Sequence, residues 1–356
     1  MIHNETMSID GLIDRLLAYK KTNKFIIDTL SVLFPFKTFT TDIIKQRKAT
    51  QNKYKVKLEQ LKLIKRIEQR SPEWYATRNN LVTASDFAQA LGEGKFGTQK
   101  QFYQKKSGYE KESFDANCPP LKWGCMYEQV AQTIYAQRNN TTVVEFGLIK
   151  HPNYDFFGAS PDGITTEGIM VEIKCPYKRK ITGEVPLQYY YQIQGQLDVC
   201  DLQECDYFEC KFESCNVSPF HGDFGYERGA IVETIINNES TYIYSDIKLK
   251  WNEDELVAWA QNQMNDSKDD KKYVVHYYVL DYCNTVRVQK SDDFITEKME
   301  ELRIVWDNVL RYRQDRAQYD AECKSTTRTK KGAPTTYSKS LNLDLPSDCL
   351  FNDDDD

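Results

Sequence analysis

Ile9, Leu12, Ile13, Leu16 and Leu17 recur at the i, i+3, i+4, i+7, i+8 spacing of an amphipathic helix, with Ser8 placed to cap its start. Pro35 ends this helical region, and a second helical stretch, interrupted or not, is predicted from about Thr41 to Arg70. Around residue 71 the pattern changes. Helical pieces near 84–91 and 98–106 are punctuated by Gly92, Gly94, Gly97 and Gly108. A longer helix, about 121–138, sets Trp123, Met126, Val130 and Ile134 on one face. Strand-like runs follow at Thr142–Ile149, Phe156–Ala159, Ile169–Cys175 and Asp206–Phe212. Strands are also predicted at Gly229–Ile235 and Tyr273–Val279, with helices at Trp251–Met264 and Asp292–Ala321. The whole reads as α/β (α+β), a central mixed β-sheet flanked by helices. A helical extension covers 1–67, a folded body 68–322, and an acidic tail expected to be disordered 323–356.

Composition narrows the class. At 40% hydrophobic and 28% charged residues, the chain has the make-up of a soluble globular protein with a sizeable core. Its most apolar early stretch, Phe25 to Phe36, is interrupted by Asp28 and Pro35 and is too short to span a bilayer. With no secretory signal in the pattern, a cytoplasmic or nuclear setting with reduced thiols is expected, not secretion. Cys200, Cys205, Cys210 and Cys215 recur every five residues, a step that sends successive strand side chains to opposite faces. Buried thiols are therefore the default reading, and a metal or cluster the minor one.

The net charge of −6 changes meaning once it is located. The last sixteen residues hold Asp344, Asp348 and Asp353 to Asp356 with no Lys or Arg, so the remainder balances to zero. Within that remainder, Lys45 to Arg70 carries ten Lys and Arg against Glu59 and Glu68. That stretch is either a solvated helix surface or an electrostatic footprint for phosphates.

The chemistry concentrates in Ser160-Pro161-Asp162-Gly163 and, nine residues after Gly163, Glu172-Ile173-Lys174-Cys175-Pro176. In a strand, Glu172 and Lys174 share one face while Val171 and Ile173 take the other. Asp162 returns beside them if the two segments pair as a hairpin, which gathers two carboxylates and an ammonium at the edge of a sheet. Phosphodiester cleavage uses such a set. Carboxylates and a carbonyl, here that of Ile173, suit Mg²⁺ or Mn²⁺. Two ions roughly 3.5–4 Å apart can stabilise both the attacking and the leaving oxygen. Lys174 can orient or help deprotonate the attacking water, or offset charge developing on the phosphate.

Further motifs surround this core: Trp74-Tyr75-Ala76-Thr77-Arg78, Val82-Thr83-Ala84-Ser85, Trp123-Gly124-Cys125-Met126-Tyr127-Glu128, Gly147-Leu148-Ile149, and Pro186 with Tyr189-Tyr190-Tyr191-Gln192-Ile193-Gln194. In this order the chain resembles the phage-lambda-type exonuclease, or YqaJ-type viral recombinase, family of the PD-(D/E)XK nuclease superfamily, over about 71–212. The resemblance implies a restriction-endonuclease-like core and makes the body, 68–322, the nuclease domain. It makes Asp162, Glu172 and the Ile173 carbonyl metal ligands, Lys174 the catalytic lysine, and Glu128 and Gln192 helix-borne members of the catalytic set. Gly124, one turn before Glu128, leaves room for substrate. Arg78, Ser85 and Ser160 correspond to groups that hold a terminal 5′-phosphate, where a planar guanidinium and hydroxyls suit phosphate oxygens. The family commonly has Gly where this chain has Asn79-Asn80, and Asn tolerates φ > 0 better than most residues. Trp74 and Trp123 read as core, Ser85 as a phosphate group or a helix cap, and Tyr189 to Tyr191 as helix packing or base stacking.

Other chemistries find little support. His3, His151, His221 and His276 fall in no H-x-x-x-H or H-N-H arrangement, and no G-x-x-x-x-G-K-[ST] occurs. The expectation is a Mg²⁺-dependent exodeoxyribonuclease with two ions, for which Mn²⁺ can substitute. It would resect double-stranded DNA from free 5′ ends during recombination or repair of a viral or mobile genome. The resemblance also implies a strand-annealing partner and a homo-oligomer. Rival readings are an endonuclease or RNA-degrading nuclease with the same metal site, and an inactive DNA-binding scaffold.

Overall fold

A computed structural model describes residues 7–64, 67–69, 71–109, 118–215, 226–237, 239–264 and 271–323. The acidic tail expected over 323–356 lies, from residue 324 on, outside the described residues. Two compact units emerge, Met1–Arg313 and Gln314–Asp356.

The first unit begins with three helices: α1 (Ile9–Ala18), α2 (Asn23–Leu33) and α3 (Thr41–Lys62). The Ser8 hydroxyl accepts from Gly11 N at 3.0 Å and Thr22 caps α2 in the same way, so local chemistry sets both starts. Ile13, Ile26, Leu30 and Ile44 form their buried centre. The second helical stretch stops at Lys62 instead of reaching Arg70, because Ile67 is drawn into a β-bridge with Leu148. Gly147 permits this approach: a Cβ there would overlap the Ile67 carbonyl oxygen.

Next come α4 (Pro72–Asn79), β1 (Val82–Thr83), a 3-10 turn (Ala84–Asp86), α5 (Phe87–Ala90), α6 (Gln99–Lys106) and α7 (Pro119–Asn139). The strands β2 (Val143–Val144), β3 (Ile149–Lys150), β4 (Phe157–Ala159), β5 (Gly163–Thr165) and β6 (Met170–Lys174) precede α8 (Leu187–Cys200) and β7 (Glu204–Cys215). Then follow β8 (Arg228–Ile236), β9 (Glu239–Tyr244), α9 (Glu253–Gln263), β10 (Lys272–Gln289) and α10 (Asp292–Gln314). In the second unit the described helix is α11 (Arg316–Cys323), started by Asp315, whose side chain accepts from Ala317 N at 2.9 Å. The single helix expected over Asp292–Ala321 is thus two. No helix among the described residues is long and apolar enough to cross a membrane.

The central sheet has seven strands in the order β2-β5-β6-β7-β10-β8-β9. Among the described residues its one parallel pair, β6 with β7, is bridged by α8 as a crossover connection. A three-stranded sheet, β1-β4-β3, lies apart from it. Alternation along β6 and β7 divides their side chains between two helices. Val171, Ile173 and Cys175 join Phe208, Cys210 and Phe212 under Met126, Tyr127, Val130 and Ile134 of α7. The other face, with Glu172, turns toward α8. Cys205 and Cys210 fall on opposite faces of β7, so the five-residue recurrence does not gather their thiols.

The stretch beyond the resemblance is part of this sheet. β10 lies between β7 and β8, and it runs on past the predicted Val279 through a bulge between Leu280 and Tyr282.

Candidate active site

The hairpin expected from the sequence forms. β5 and β6 pair antiparallel, with Gly163 opposite Val171, so Asp162 arrives beside the Glu172–Lys174 segment. At the hairpin turn Gly168 has φ +82° and sits so close to the Tyr54 backbone that a Cβ would meet it at 2.6 Å. One Asp162 oxygen accepts from Ile173 N at 2.8 Å, which fixes the carboxylate to β6. This strand is an interior member of the sheet, third of seven, not an edge strand.

Glu172 is fully buried and completely engaged. Its Oε1 accepts from Gln192 Nε2 at 2.7 Å and from the Lys174 ammonium, and its Oε2 from Gln196 Nε2 at 2.8 Å. Gln196 escaped the sequence reading. Its spacing from Gln192, i+4 on the same helix, was the available signal.

The electrostatics follow from crowding. Burial, then the neighbouring Glu172 carboxylate and, less, Glu128, hold Asp162 well above the usual carboxylate range against the pull of Lys174. Burial alone would lower the Lys174 pKa, but Glu172 and Asp162 outweigh it and the shift is upward. Lys174 is therefore an ammonium at neutral pH. Glu128, on α7, lies close enough to act on Asp162, and Gly124 one turn earlier faces open space.

Among the described residues no three His, Cys, Asp or Glu side chains already converge as a metal cage. The donors expected there are Asp162, Glu172 and the Ile173 main-chain carbonyl, with Glu128 near Asp162. That set suits a hard cation such as Mg²⁺, which keeps several waters and takes one or two carboxylates. A cation would also relieve the repulsion that raises Asp162.

A second group of residues assembles at α4. Arg78 Nη2 lies 3.3 Å from Ser85 Oγ, and the Arg78 guanidinium stacks on the Trp74 ring, 4.3 Å from its centroid. The Trp74 Nε1 donates to Ser160 Oγ at 3.2 Å. Arg78, Ser85 and Ser160 thus gather around Trp74, which is half-buried and not the core residue expected. Ser85 is not a helix cap. Thr83 and Asp86 form the capping box of the turn, and Ser85 instead shares a 2.9 Å hydrogen bond with Thr83 Oγ1. Asn80 turns the chain at φ −100°, so the left-handed tolerance of Asn is not used.

Of the three tyrosines on α8, Tyr190 and Tyr191 pack on Phe294, and Tyr191 also on Phe87. Tyr189 turns to the site, with Lys174 Nζ 5.0 Å from its ring centroid. Trp123 is half-buried against the core under α7. The basic stretch divides. Arg47 is buried and binds Asp14 and Glu204, so it is no phosphate contact, whereas Lys53 and Lys55 are exposed.

Residues 73–203 match the YqaJ-like viral recombinase domain. This YqaJ-like segment carries every residue of both groups above. The chain is 27% identical over 350 residues to an uncharacterized protein of Acanthamoeba polyphaga mimivirus, covering 82% of this chain and 61% of that protein. It is 30% identical over 163 residues to a protein of African swine fever virus, covering 36% of this chain and 46% of that one. The chain therefore spans less than two thirds of either relative. Among solved structures it is similar to an alkaline exonuclease from Laribacter hongkongensis, with 20% identity, TM-score 0.43, and 71% of this chain and 100% of that chain covered. A phage-related exonuclease from Haemophilus somnus gives 14% identity and TM-score 0.35, with 68% of this chain and 95% of that chain covered.

Proposed function

We propose that this chain is a metal-dependent DNA nuclease that resects double-stranded DNA 5′→3′ from free ends, in the service of recombination or repair of a viral genome. The observation that carries the reading is the convergence of Asp162, tied to Ile173 N, with the buried Glu172–Lys174 pair; burial and then Glu172 hold Asp162 above its ordinary range. The YqaJ-like match over 73–203 and the viral relatives support it.

Asp162, Glu172 and the Ile173 carbonyl would hold the cation, with Mg²⁺ first and one or two ions in reach. When bound, it supplies Lewis-acid chemistry and an activated water at neutral pH. The remaining work belongs to side chains. Lys174, charged through its two carboxylate neighbours, orients the water and offsets negative charge growing on the phosphate. Gln192 and Gln196 hold Glu172 in one rotamer, and Glu128 adds negative charge beside Asp162. Arg78, Ser85 and Ser160 would bind a terminal 5′-phosphate. For that pocket to serve successive rounds, each cut must leave phosphate on the remaining strand, so the bond broken is P–O3′. We further propose that the nuclease works beside a strand-annealing protein and as a homo-oligomer.

The deciding assay is digestion of linear and of covalently closed duplex DNA, each end labelled separately, with Mg²⁺ or EDTA. Loss of label from 5′ ends of linear DNA, abolished by EDTA, is expected. Equal cutting of the closed circle would overturn the exonuclease reading and assign the site to internal cleavage.

A further inference from the structure

Glu209 takes no part in the chemistry above, yet its side chain is wholly buried. It stands directly beside Lys174 in the parallel register of β6 and β7, on the face shared with Glu172. Its Oε1 accepts from the Tyr207 hydroxyl at 2.7 Å and from the Arg179 guanidinium. Its Oε2 is buried without a partner among the described residues. A carboxylate is costly to bury, and Arg179 is the cation that offsets this one.

Arg179 lies on the segment that leaves the catalytic strand, between Lys178 and Lys180. Its side chain remains 27% exposed while the carboxylate it binds is sealed. The guanidinium is 6.0 Å from the centroid of the Tyr189 ring, and Lys174 Nζ is 5.0 Å from the same centroid. A guanidinium has five N–H donors in a planar fork. Glu209 occupies Nη2, and Nη1 reaches the neighbouring Lys180 carbonyl only at 3.3 Å. Donors suited to a phosphate are left, on a partly open side chain one aromatic ring away from Lys174.

We propose that Arg179 binds a backbone phosphate of the DNA substrate beside the site, and that Glu209 is the positioning residue that holds the guanidinium there. The inference rests on the nuclease reading and specifies how that site grips its substrate. A simple tie for the loop would need neither the open side of Arg179 nor its place beside Tyr189.

Binding of a 5′-phosphorylated duplex in EDTA, where nothing is cut, separates the two roles across a salt series. Arg179→Met should weaken binding roughly three- to thirtyfold and reduce the log–log salt slope by about 0.7–0.9, the loss of one phosphate contact. Glu209→Gln keeps an acceptor for Tyr207 and should weaken binding less, with Arg179 still present but loosely held. Arg179→Met also leaves a buried charge and should lower Tm. The double variant Arg179→Met/Glu209→Gln should recover Tm without recovering affinity or slope. In Mg²⁺ the loss from Glu209→Gln should fall on KM more than on kcat. If the double variant, refolded to wild-type Tm, binds with wild-type affinity and slope, the pair only ties the loop and the proposal fails. Because the binding arm contains no cleavage step, an inactive wild-type protein would overturn the nuclease reading while the slope still decides Arg179.

Discussion

Trp74 and Ser160 are joined by a hydrogen bond of 3.2 Å from indole to hydroxyl, across 86 positions of sequence. The same indole carries the Arg78 guanidinium on its face. Ser160 is two residues before Asp162, so one side chain couples the arginine of the α4 group to the turn that delivers the Asp162 carboxylate. On the proposed reading, recognition of an end and placement of the scissile phosphate share a support.

Trp74→Phe keeps the ring under Arg78 and removes the donor to Ser160. A neutral hydrogen bond contributes about 0.5–1.5 kcal/mol, and about 1.4 kcal/mol is tenfold. The preference for 5′-phosphorylated over 5′-hydroxyl ends should fall roughly two- to tenfold. Arg78→Ala removes a charge-assisted contact of roughly 1.5–3 kcal/mol and should cost ten- to a hundredfold. Paired digestion rates on the two kinds of end check both, and an unchanged ratio in Arg78→Ala removes the pocket from end recognition.

Asp162→Ala and Glu172→Ala should abolish cleavage while DNA binding in EDTA persists, because binding draws on cations elsewhere. Lys174→Ala should cost orders of magnitude in rate with the fold intact. Turnover, gel shift and thermal melting are measured together. Wild-type turnover in a folded Asp162 or Glu172 variant excludes the metal assignment.

The pH dependence has a defined sign. Asp162 has a folded pKa above its unfolded value. Its contribution to stability is fully present below the unfolded pKa and is lost as pH rises through the folded one. In EDTA, this group should therefore make Tm fall with rising pH, and Mg²⁺ should cancel the fall by pairing the carboxylate. Cation and proton also compete for Asp162, so Mg²⁺ affinity should climb with pH by up to about tenfold per unit, with proton release on binding. Calorimetry in two buffers of different ionisation enthalpy measures that release, and proton uptake would contradict it.

The basic stretch should divide into two behaviours. Arg47 binds Asp14 and Glu204 while Arg287 binds Asp206, a buried network between the first helices and the sheet. Arg47→Met strands carboxylates and should destabilise the fold by about 3–5 kcal/mol. Lys53→Ala and Lys55→Ala should leave Tm alone and each lower the salt slope of DNA binding by about 0.9 if it meets a phosphate. Slopes unchanged in both lysine variants would exclude α3 from the DNA path.

What the sequence revealed and what it hid have separate physical causes. Alternation placed Glu172 and Lys174 on one face, and the Pro-Asp-Gly turn returned Asp162 to them, because strand geometry and hairpin pairing are local. The α7 face carrying Met126, Val130 and Ile134 was equally readable from its helical period. Arg47 was misread because its partners lie at Asp14, Glu204 and, through them, Arg287, distances along the chain that no window captures. Trp74 looked like core since an indole is apolar on its faces, and only the fold reveals the hydroxyl at its polar tip. The end of α3 was set by a β-bridge to Leu148, not by its own helix-forming residues.

β10 has one more consequence, for any shortened form of the protein. It pairs with β7 from Glu204 to Cys215, along the side opposite β6. A chain cut at Cys215 would keep Asp162, Glu172 and Lys174 but bare the main-chain donors and acceptors of β7, rich in Cys, Tyr and Phe. Such a ribbon is a template for stacking one molecule on the next. A fragment ending at Cys215 should therefore precipitate, and its failure in an assay would report aggregation, not the loss of a site residue.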